Sequence, residues 1–203
     1  MRALAYGDRA LLLDLDDDEE PVGWAQAVAE ADLGALDIVP GARTVLVTAS
    51  TRERLGRIRE ALGGLTPHDT EADEHREPVE IPTVYDGPDL DEVCRLTGLS
   101  RDEVVAAHTD RPWTVAFGGF APGFAYLTGG DERLEVPRRD DPRTAVPAGS
   151  VGLAGTFSGA YPRESPGGWQ LIGRTEATLF DIDRDPPALL QPGDRVLFVE
   201  VGR

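Results

Sequence analysis

The segment from Thr114 to Thr175 constrains the fold most, because small, rigid and aromatic residues alternate along it. It holds twelve of the 23 glycines and six prolines in 62 residues, a proportion that by itself suggests low complexity. Seven of the thirteen aromatic residues also lie there, and large rings among glycines imply a specific fold with close backbone approaches. Short apolar runs between the turns, such as 113–117 and 151–157, are typical of a β-barrel or sandwich.

The residues before this segment have the pattern of a small α+β domain of ferredoxin-like character. The predicted elements are a strand over 3–15 that is interrupted by a turn or bulge at Gly7-Asp8, a helix over 22–33 preceded by Pro21, β-rich stretches at 37–39 and 43–48, a helix over 52–62 and a further strand near 79–85. The acidic stretch 63–77 has few apolar residues and is predicted to link two modules. We therefore expect one domain over 1–77 and a mainly-β domain over 78–203.

Two helices are predicted at the start of the second domain. Apolar residues recur at helical spacing over 89–97, and Ser100 with Glu103 forms a capping-box pattern that starts a second helix. The two helices form a hairpin around Gly98. His108 lies at the end of the second helix, where we expect it to interact with the helix dipole.

The charge composition excludes several function classes. The net charge is −17, and all 20 basic residues are arginine, so Schiff-base chemistry and a lysine-dependent phosphate loop are excluded. The acidic balance disfavours nucleic acid and membrane surfaces as partners. Residues 1–8 lack the apolar run of a signal peptide, so we expect a cytoplasmic protein. The single cysteine excludes a disulfide framework and a cysteine-based zinc site.

The glycine-rich segment differs from the rest of the chain in charge. Its six acidic residues balance its six arginines, so the whole negative charge lies elsewhere. A small anion is repelled by most of the surface and is expected to dock at this neutral, arginine-bearing stretch. Alternatively, the segment is neutral because it forms the barrel core and its arginines pair with neighbouring acids.

The short motifs give no nucleophile. Ser150 is one residue out of register for a G-x-S-x-G elbow, and Ser165 lacks the glycine before it. His68 and His75 fall in the predicted linker, whose acids lack the preorganised geometry of a metal site, so no metal site is predicted.

Residues 165–168 match a type II turn that leads Trp169 into a strand. With Glu164 and Arg174 nearby, this turn offers the groups of a small polar-ligand pocket. The stretch 120–124 is either part of such a pocket or a barrel corner.

Several long sequence blocks, in order, resemble one family. They are Gly119-Phe-Ala-Pro-Gly-Phe-Ala-Tyr-Leu127, Pro142-Arg143, Val146-Pro-Ala-Gly-Ser-Val-Gly152, Tyr161-Pro162 with Glu164-Ser-Pro-Gly-Gly-Trp169, Leu171-Ile-Gly-Arg-Thr175 and Pro192-Gly-Asp-Arg-Val196. They are similar to the signature blocks of the KipI family, also called allophanate hydrolase subunit 1 or the B subunit of 5-oxoprolinase. The resemblance covers nearly the entire chain.

The resemblance implies a fold and a function. It implies a cyclophilin-like barrel after a small α+β module, without prolyl isomerase activity. It implies an ATP-hydrolysing 5-oxoprolinase subunit that is inactive or nearly so alone. Its partners would be the larger, KipA-type C subunit of 5-oxoprolinase and the A subunit of the same enzyme. The alternatives are an inhibitor of a sensor histidine kinase and a carboxyltransferase module of a urea or allophanate pathway.

The family's reaction suggests roles for the polar residues of the blocks. Arg143 and Arg174 would bind the substrate carboxylate or a phosphoryl oxygen, and Glu164 would act as acid/base or orient water. The other predicted site residues supply hydrogen bonds or apolar walls and are Ser150, Ser165, Trp169 and Phe124. No cofactor is expected on this chain alone, and ATP, with Mg²⁺, is expected in the assembled complex.

Overall fold

A computed structural model describes residues 1–16, 21–68 and 77–202. These residues form two compact units, one on each side of the segment 69–76. The acidic segment 69–76, which contains His75 of the predicted linker, lies outside the described residues. The preceding residues belong to the first unit, because Leu65 packs against its core and the backbone N–H of His68 donates to the carbonyl of Gly23 at 3.2 Å.

The first unit is a four-stranded antiparallel sheet with two helices. Its elements are β1 (Arg2–Tyr6), β2 (Ala10–Asp14), α1 (Pro21–Glu30), β3 (Ala35–Pro40), β4 (Thr44–Ala49) and α2 (Arg52–Leu62). The strand order is β1-β2-β4-β3. Buried and half-buried residues alternate along β4, as expected of a strand that buries one face. Trp24 of α1 and Ile58 of α2 pack against that face in one apolar cluster.

The sheet of this unit differs from the predicted one at its edge. The expected fourth strand near 79–85 instead belongs to the second unit, and the N-terminal strand β1 lies beside β2. The prediction treated 3–15 as one interrupted strand. The turn at Gly7, where φ is +70°, folds that stretch into a hairpin, so it supplies two strands.

The second unit is a β-barrel with a helical hairpin. Its elements are β5 (Val79–Thr83), α3 (Leu90–Thr97), α4 (Arg101–Thr109), β6 (Trp113–Gly118), β7 (Ala125–Thr128), a 3₁₀ turn (Glu132–Leu134), β8 (Arg143–Val146), β9 (Ser150–Ala154), β10 (Phe157–Ala160), β11 (Ser165–Gly167), β12 (Gln170–Arg174) and β13 (Arg195–Glu200). Seven strands form one sheet in the order β12-β9-β10-β7-β6-β13-β5, and β8 pairs with β11.

The seven-stranded sheet is nearly closed. Val84, directly after β5, exchanges two backbone hydrogen bonds of 2.9 Å with Arg174 at the end of β12, which joins the two edge strands. Closure covers the strand edges that would otherwise be open for pairing with other chains. The first strand of the unit, β5, also lies parallel to its last strand, β13.

The helical hairpin follows the predicted pattern. Gly98 has φ of +75° and ends α3, and Ser100 and Glu103 form the expected capping box of α4. Both helices contribute apolar residues to the barrel core, including Leu90, Val93 and Val104. No helix among residues 1–16, 21–68 and 77–202 is long and apolar enough to cross a bilayer.

Residues 165–168 do not form the predicted type II turn. Ser165–Gly167 is the strand β11, which pairs with β8 through Ser165 opposite Val146 and Gly167 opposite Arg143. Pro166 points to solvent and Gly167 lies against the Tyr161 side chain, where a Cβ would stand 2.4 Å from the hydroxyl. Long-range pairing therefore overrides the local turn preference here.

His108 is buried in the barrel and does not have the predicted dipole interaction. Its Nδ1 is hydrogen-bonded to the Tyr85 hydroxyl and its Nε2 to the Ser158 hydroxyl, both at 2.7 Å. Its ring packs against Phe198 at a centroid distance of 4.2 Å. Complete burial lowers the pKa of His108 to about 3, because an imidazolium loses its hydration there. The side chain is therefore neutral, whereas a dipole interaction requires its charged form.

This burial predicts a pH dependence of stability. The pKa of His108 in the folded protein lies below its unfolded value of about 6.5. Below pH 6.5, unfolding is therefore accompanied by the uptake of a proton. The contribution of His108 is therefore complete above pH 6.5 and falls as the pH falls toward the folded pKa. We expect the barrel to lose about 2 kcal/mol of unfolding free energy between pH 7 and pH 5. Urea denaturation at several pH values measures this loss. A His108→Leu variant should lack this slope, and an equal slope in that variant would contradict the assignment.

Candidate functional site

A buried carboxylate organises the candidate site in the second unit. Asp89 directly precedes α3 and is 3% exposed. Its Oδ1 accepts hydrogen bonds from Arg139 Nη1 at 2.8 Å and Arg143 Nη2 at 2.7 Å, and its Oδ2 accepts one from the backbone N–H of Leu171 at 2.7 Å. Asp89 makes no side-chain cap bond to its helix, so the carboxylate holds the arginines instead.

The Asp89 carboxylate is ionised in this setting. Burial alone would raise its pKa, but the hydrogen bonds from Arg143 and Leu171 and the two nearby guanidinium charges outweigh burial and lower the pKa. The cluster thus combines one negative charge with two positive charges. Among these three side chains alone, one positive charge is in excess.

Four parts of the chain meet at this carboxylate. Asp89 is fixed against β12, because its backbone N–H donates to the Leu171 carbonyl at 2.9 Å. Gly87 makes this approach possible, since a Cβ there would stand 2.3 Å from the Leu171 carbonyl oxygen. Arg139 lies in the segment before β8, and Arg143 is the first residue of β8. The site is therefore formed by the start of α3, this segment, β8 and β12.

A cavity of about 500 Å³ opens beside the cluster, lined in part by Asp89, Arg139 and Gln170. At its rim Glu92 is paired with Arg95 at 2.6 Å. Two buried polar atoms at this cluster have no hydrogen-bond partner, Arg143 Nη1 and Gln170 Oε1, and they are the only such side-chain atoms in the described parts of the chain. An unpaired buried polar group costs about 1 to 3 kcal/mol, so these atoms need an explanation.

A second cavity, of about 750 Å³, is lined by described residues none of which carries a buried polar side-chain atom without a partner. Its wall includes Arg133, whose guanidinium is bound by Asp131 at 2.6 Å. These hydrogen bonds lower the pKa of Asp131 to about 2, so this pair is neutral overall. The cavity beside Asp89 carries no net positive charge either, since together with Arg143 it counts four acidic and four arginine side chains. We prefer the Asp89 cluster as the candidate site because it holds the two buried polar atoms without partners.

The other predicted polar residues lie apart from Arg143. Arg174 Nε is paired with Asp86 at 3.0 Å in a half-exposed ion pair, and Arg174 lies opposite Ser150 in the β9–β12 pairing. Glu164 is exposed and precedes Ser165. In the β8–β11 pair, Ser165 lies opposite Val146, and Arg143 is at the other end of β8. Glu164 and Arg143 are therefore at opposite ends of this strand pair.

The predicted apolar walls and hydroxyls are largely buried. Phe124 and Trp169 are 2% and 4% exposed and meet edge to face at 5.3 Å, together with Tyr161. They form a core cluster and do not line the cavity beside Asp89. Ser150 is buried, and the Ser165 hydroxyl donates to the Arg163 carbonyl at 3.1 Å.

Sequence reasoning missed Asp89, Arg139 and Gln170. Asp89 was included in the predicted helix, and an acid at a helix start is ordinary. Asp89 contacts Arg139 and Arg143 from 50 and 54 residues away, so the local pattern carries no signal for these contacts. Within the described residues, no group of three or more His, Cys, Asp and Glu side chains is arranged to hold a metal ion.

The chain matches known proteins over most of its length. Residues 1–190 match the family described as carboxyltransferase domain, subdomain C and D. The chain is 41% identical to the 5-oxoprolinase B subunit of Escherichia coli O157:H7, with 98% of this chain and 95% of that protein aligned. It is 48% identical to the 5-oxoprolinase B subunit of Bacillus subtilis (strain 168) over 63% of this chain, a match that spans only 54% of that protein.

Solved structures agree with the fold. The protein TTHA0988 superposes with a TM-score of 0.81 at 38% identity, over 96% of this chain and 40% of that one. The urea carboxylase of Kluyveromyces lactis shares the fold, with a TM-score of 0.74 at 18% identity over 98% of this chain and 22% of that one. The sequence resemblance is thus confirmed, and the chain belongs to the carboxyltransferase subdomain C and D family, together with the B subunits of 5-oxoprolinase.

Proposed function

We propose that this chain is one component of an ATP-dependent 5-oxoprolinase, which converts 5-oxoproline, ATP and water to glutamate, ADP and phosphate. The relatives named as 5-oxoprolinase B subunits support this assignment. The observation that carries it is the Asp89 cluster, where two guanidinium groups share one carboxylate oxygen beside a cavity. A small carboxylate such as 5-oxoproline would pair with an individual guanidinium group of this cluster.

The chemistry assigns different tasks to different chains. A lactam carbonyl is a weak electrophile, so transfer of the ATP γ-phosphoryl group to its oxygen activates the ring carbon. One water adds to that carbon and the ring C–N bond breaks, with the nitrogen taking up a proton, which leaves an acyl phosphate. A second water then hydrolyses this acyl phosphate to the carboxylate of glutamate and free phosphate. This chain has no lysine and no phosphate loop, so the larger C subunit and the A subunit would supply most of the ATP site. Arg143 would hold the substrate carboxylate.

The other polar residues predicted from the family blocks have secondary places in this proposal. Arg174 and Glu164 lie at other edges of the β9–β12 and β8–β11 pairings, where they would face a partner chain or a phosphoryl group. Phe124 and Trp169 would support the site from the core beneath it.

Reconstitution tests the proposal directly. The chain would be mixed with the A and C subunits of the same organism, and phosphate and glutamate release would be measured with and without 5-oxoproline. We expect both products only with all three chains, in equal amounts. Each two-chain mixture is the control.

An assembled, soluble three-chain complex without coupled product release would contradict the proposal. In that case, inhibition of histidine kinase autophosphorylation and carboxyl transfer from a biotinylated partner are the next two activities to measure.

A further inference from the structure

We propose that Gln170 is a specificity-determining residue that recognises the ring N–H of the substrate, while Arg143 Nη1 binds its carboxylate. This inference rests on the proposed function and assigns a residue to the choice of substrate. Its basis is the pair of buried polar atoms that lack partners at the Asp89 cluster. One of them, Arg143 Nη1, can only donate a hydrogen bond, and the other, Gln170 Oε1, can only accept one.

The orientation of the Gln170 side chain is fixed by its surroundings. Its Nε2 donates to the Pro137 carbonyl at 3.2 Å, and a flipped amide would bring two carbonyl oxygens together there. Gln170 is 4% exposed and lines the cavity. Its Oε1 is therefore a buried acceptor with a defined direction.

The two unpaired atoms lie on residues that one carboxylate connects. The Asp89 Oδ1 binds Arg143 Nη2, and its Oδ2 binds the backbone N–H of Leu171, the residue after Gln170. One carboxylate thus positions both Arg143 and the start of β12. Arg139 shares the same Oδ1 and lines the cavity at one-third exposure, whereas Arg143 does not line it. A ligand in the cavity would therefore have to displace the Arg139 side chain to reach Arg143 Nη1.

The chemistry of the pair defines a ligand class. A molecule that satisfies both atoms needs an anionic acceptor close to a hydrogen-bond donor, as an N-acylated α-amino acid has in its carboxylate and amide N–H. In the lactam 5-oxoproline, the ring carbon that bears the carboxylate is bonded directly to the ring N–H. Its ring-oxygen analogue, the lactone carboxylate, has no donor and leaves Gln170 Oε1 unpaired. A site with buried hydrogen-bonding groups discriminates strongly against an analogue that lacks the matching group.

Competition binding to the assembled complex tests the inference. The probes are 5-oxoproline, the lactone carboxylate and 2-pyrrolidinone, which keeps the N–H but lacks the carboxylate. We expect the wild-type complex to bind 5-oxoproline about 10-fold to 100-fold more tightly than the lactone. Gln170→Met should reduce this ratio to about 1 by weakening lactam binding alone, because it removes the acceptor and keeps the side-chain length.

The matched control is Gln191→Met. Gln191 is a half-buried glutamine whose Nε2 likewise donates to a backbone carbonyl, that of Ala188 at 2.9 Å, and it does not line the cavity. This variant should retain the wild-type ratio. Equal weakening of lactam and lactone binding in Gln170→Met would assign Gln170 a structural role and overturn the inference.

The proposed function and this inference fail in different ways. A wild-type complex that hydrolyses ATP with 5-oxoproline but binds lactam and lactone equally refutes only the inference. This comparison needs no variant, so it decides the matter even if Gln170→Met does not fold. A complex without 5-oxoproline turnover refutes the proposed function itself.

Discussion

Replacing Arg143 with alanine should lower kcat/KM for 5-oxoproline in the assembled complex by about 10-fold to 100-fold. In the proposed site this residue supplies the charged hydrogen bond to the substrate carboxylate, and a hydrogen bond to a charged group contributes about 1.5 to 3 kcal/mol. Arg143→Lys should recover part of the loss, because the ammonium keeps the charge but lacks the second guanidinium nitrogen. Steady-state phosphate release over a range of 5-oxoproline concentrations measures both variants.

The fold should survive this substitution, because Asp89 keeps its hydrogen bonds from Arg139 and from the Leu171 backbone. Arg101→Ala is the matched control, since it breaks an exposed Arg–Asp pair of 2.8 Å outside the cavity. It should leave turnover unchanged. Wild-type turnover in a folded Arg143→Ala complex would remove Arg143 from the site.

Asp89→Asn should destabilise the barrel unit by about 3 kcal/mol. The change leaves two guanidinium groups without their carboxylate and places an amide opposite the Leu171 N–H. Breaking a buried ion pair costs about 3 to 5 kcal/mol, and the partial exposure of Arg139 and Arg143, at 33% and 23%, puts the cost at the lower end. Asp91→Asn, in the helix that follows Asp89, breaks an exposed pair and should cost much less, because solvent screens such pairs.

Urea denaturation in a Trp24→Phe background measures this difference. Trp113 and Trp169 then supply the fluorescence, and both lie in the second unit. Equal midpoints for the Asp89 and Asp91 variants would contradict the role assigned to Asp89.

Asp89→Asn should also change how the free energy of unfolding falls at acid pH. Because the pKa of Asp89 is lowered in the folded protein, its contribution is present above the unfolded value of about 3.9 and is lost as the pH falls through the folded pKa. Asp89→Asn should remove this part of the acid sensitivity. The slope between pH 7 and pH 5 should stay, since it comes from His108.

Much of the architecture could be predicted from local pattern. The glycine-rich aromatic segment predicts a barrel, and the capping box at Ser100 with Gly98 predicts a helical hairpin, because these signals act within a few residues. The neighbours of the strands at the sheet edges could not be predicted in this way. The strand at 79–83 pairs with β13, more than 100 residues away, and no local feature distinguishes this pairing from a place beside β2.

The site could be predicted only in part. Arg143 stands in a family block and lies in the Asp89 cluster, whereas Asp89 and Gln170 carry no local signal because their partners come from distant parts of the chain. His108 shows the same limit. Its position at a helix end suggests a dipole interaction, but its burial depends on the barrel that forms around it.

The pairing of β5 with β13 and of Val84 with Arg174 has a consequence for biosynthesis. Every strand and helix that the structure describes in the first unit has been synthesised once residue 62 has left the ribosome, so this unit can fold while translation continues. The barrel cannot complete its sheet until Glu200 has emerged. A prematurely terminated chain that ends before Arg195 would leave β5 and β6 without their shared neighbour, and its open edges would favour aggregation or degradation.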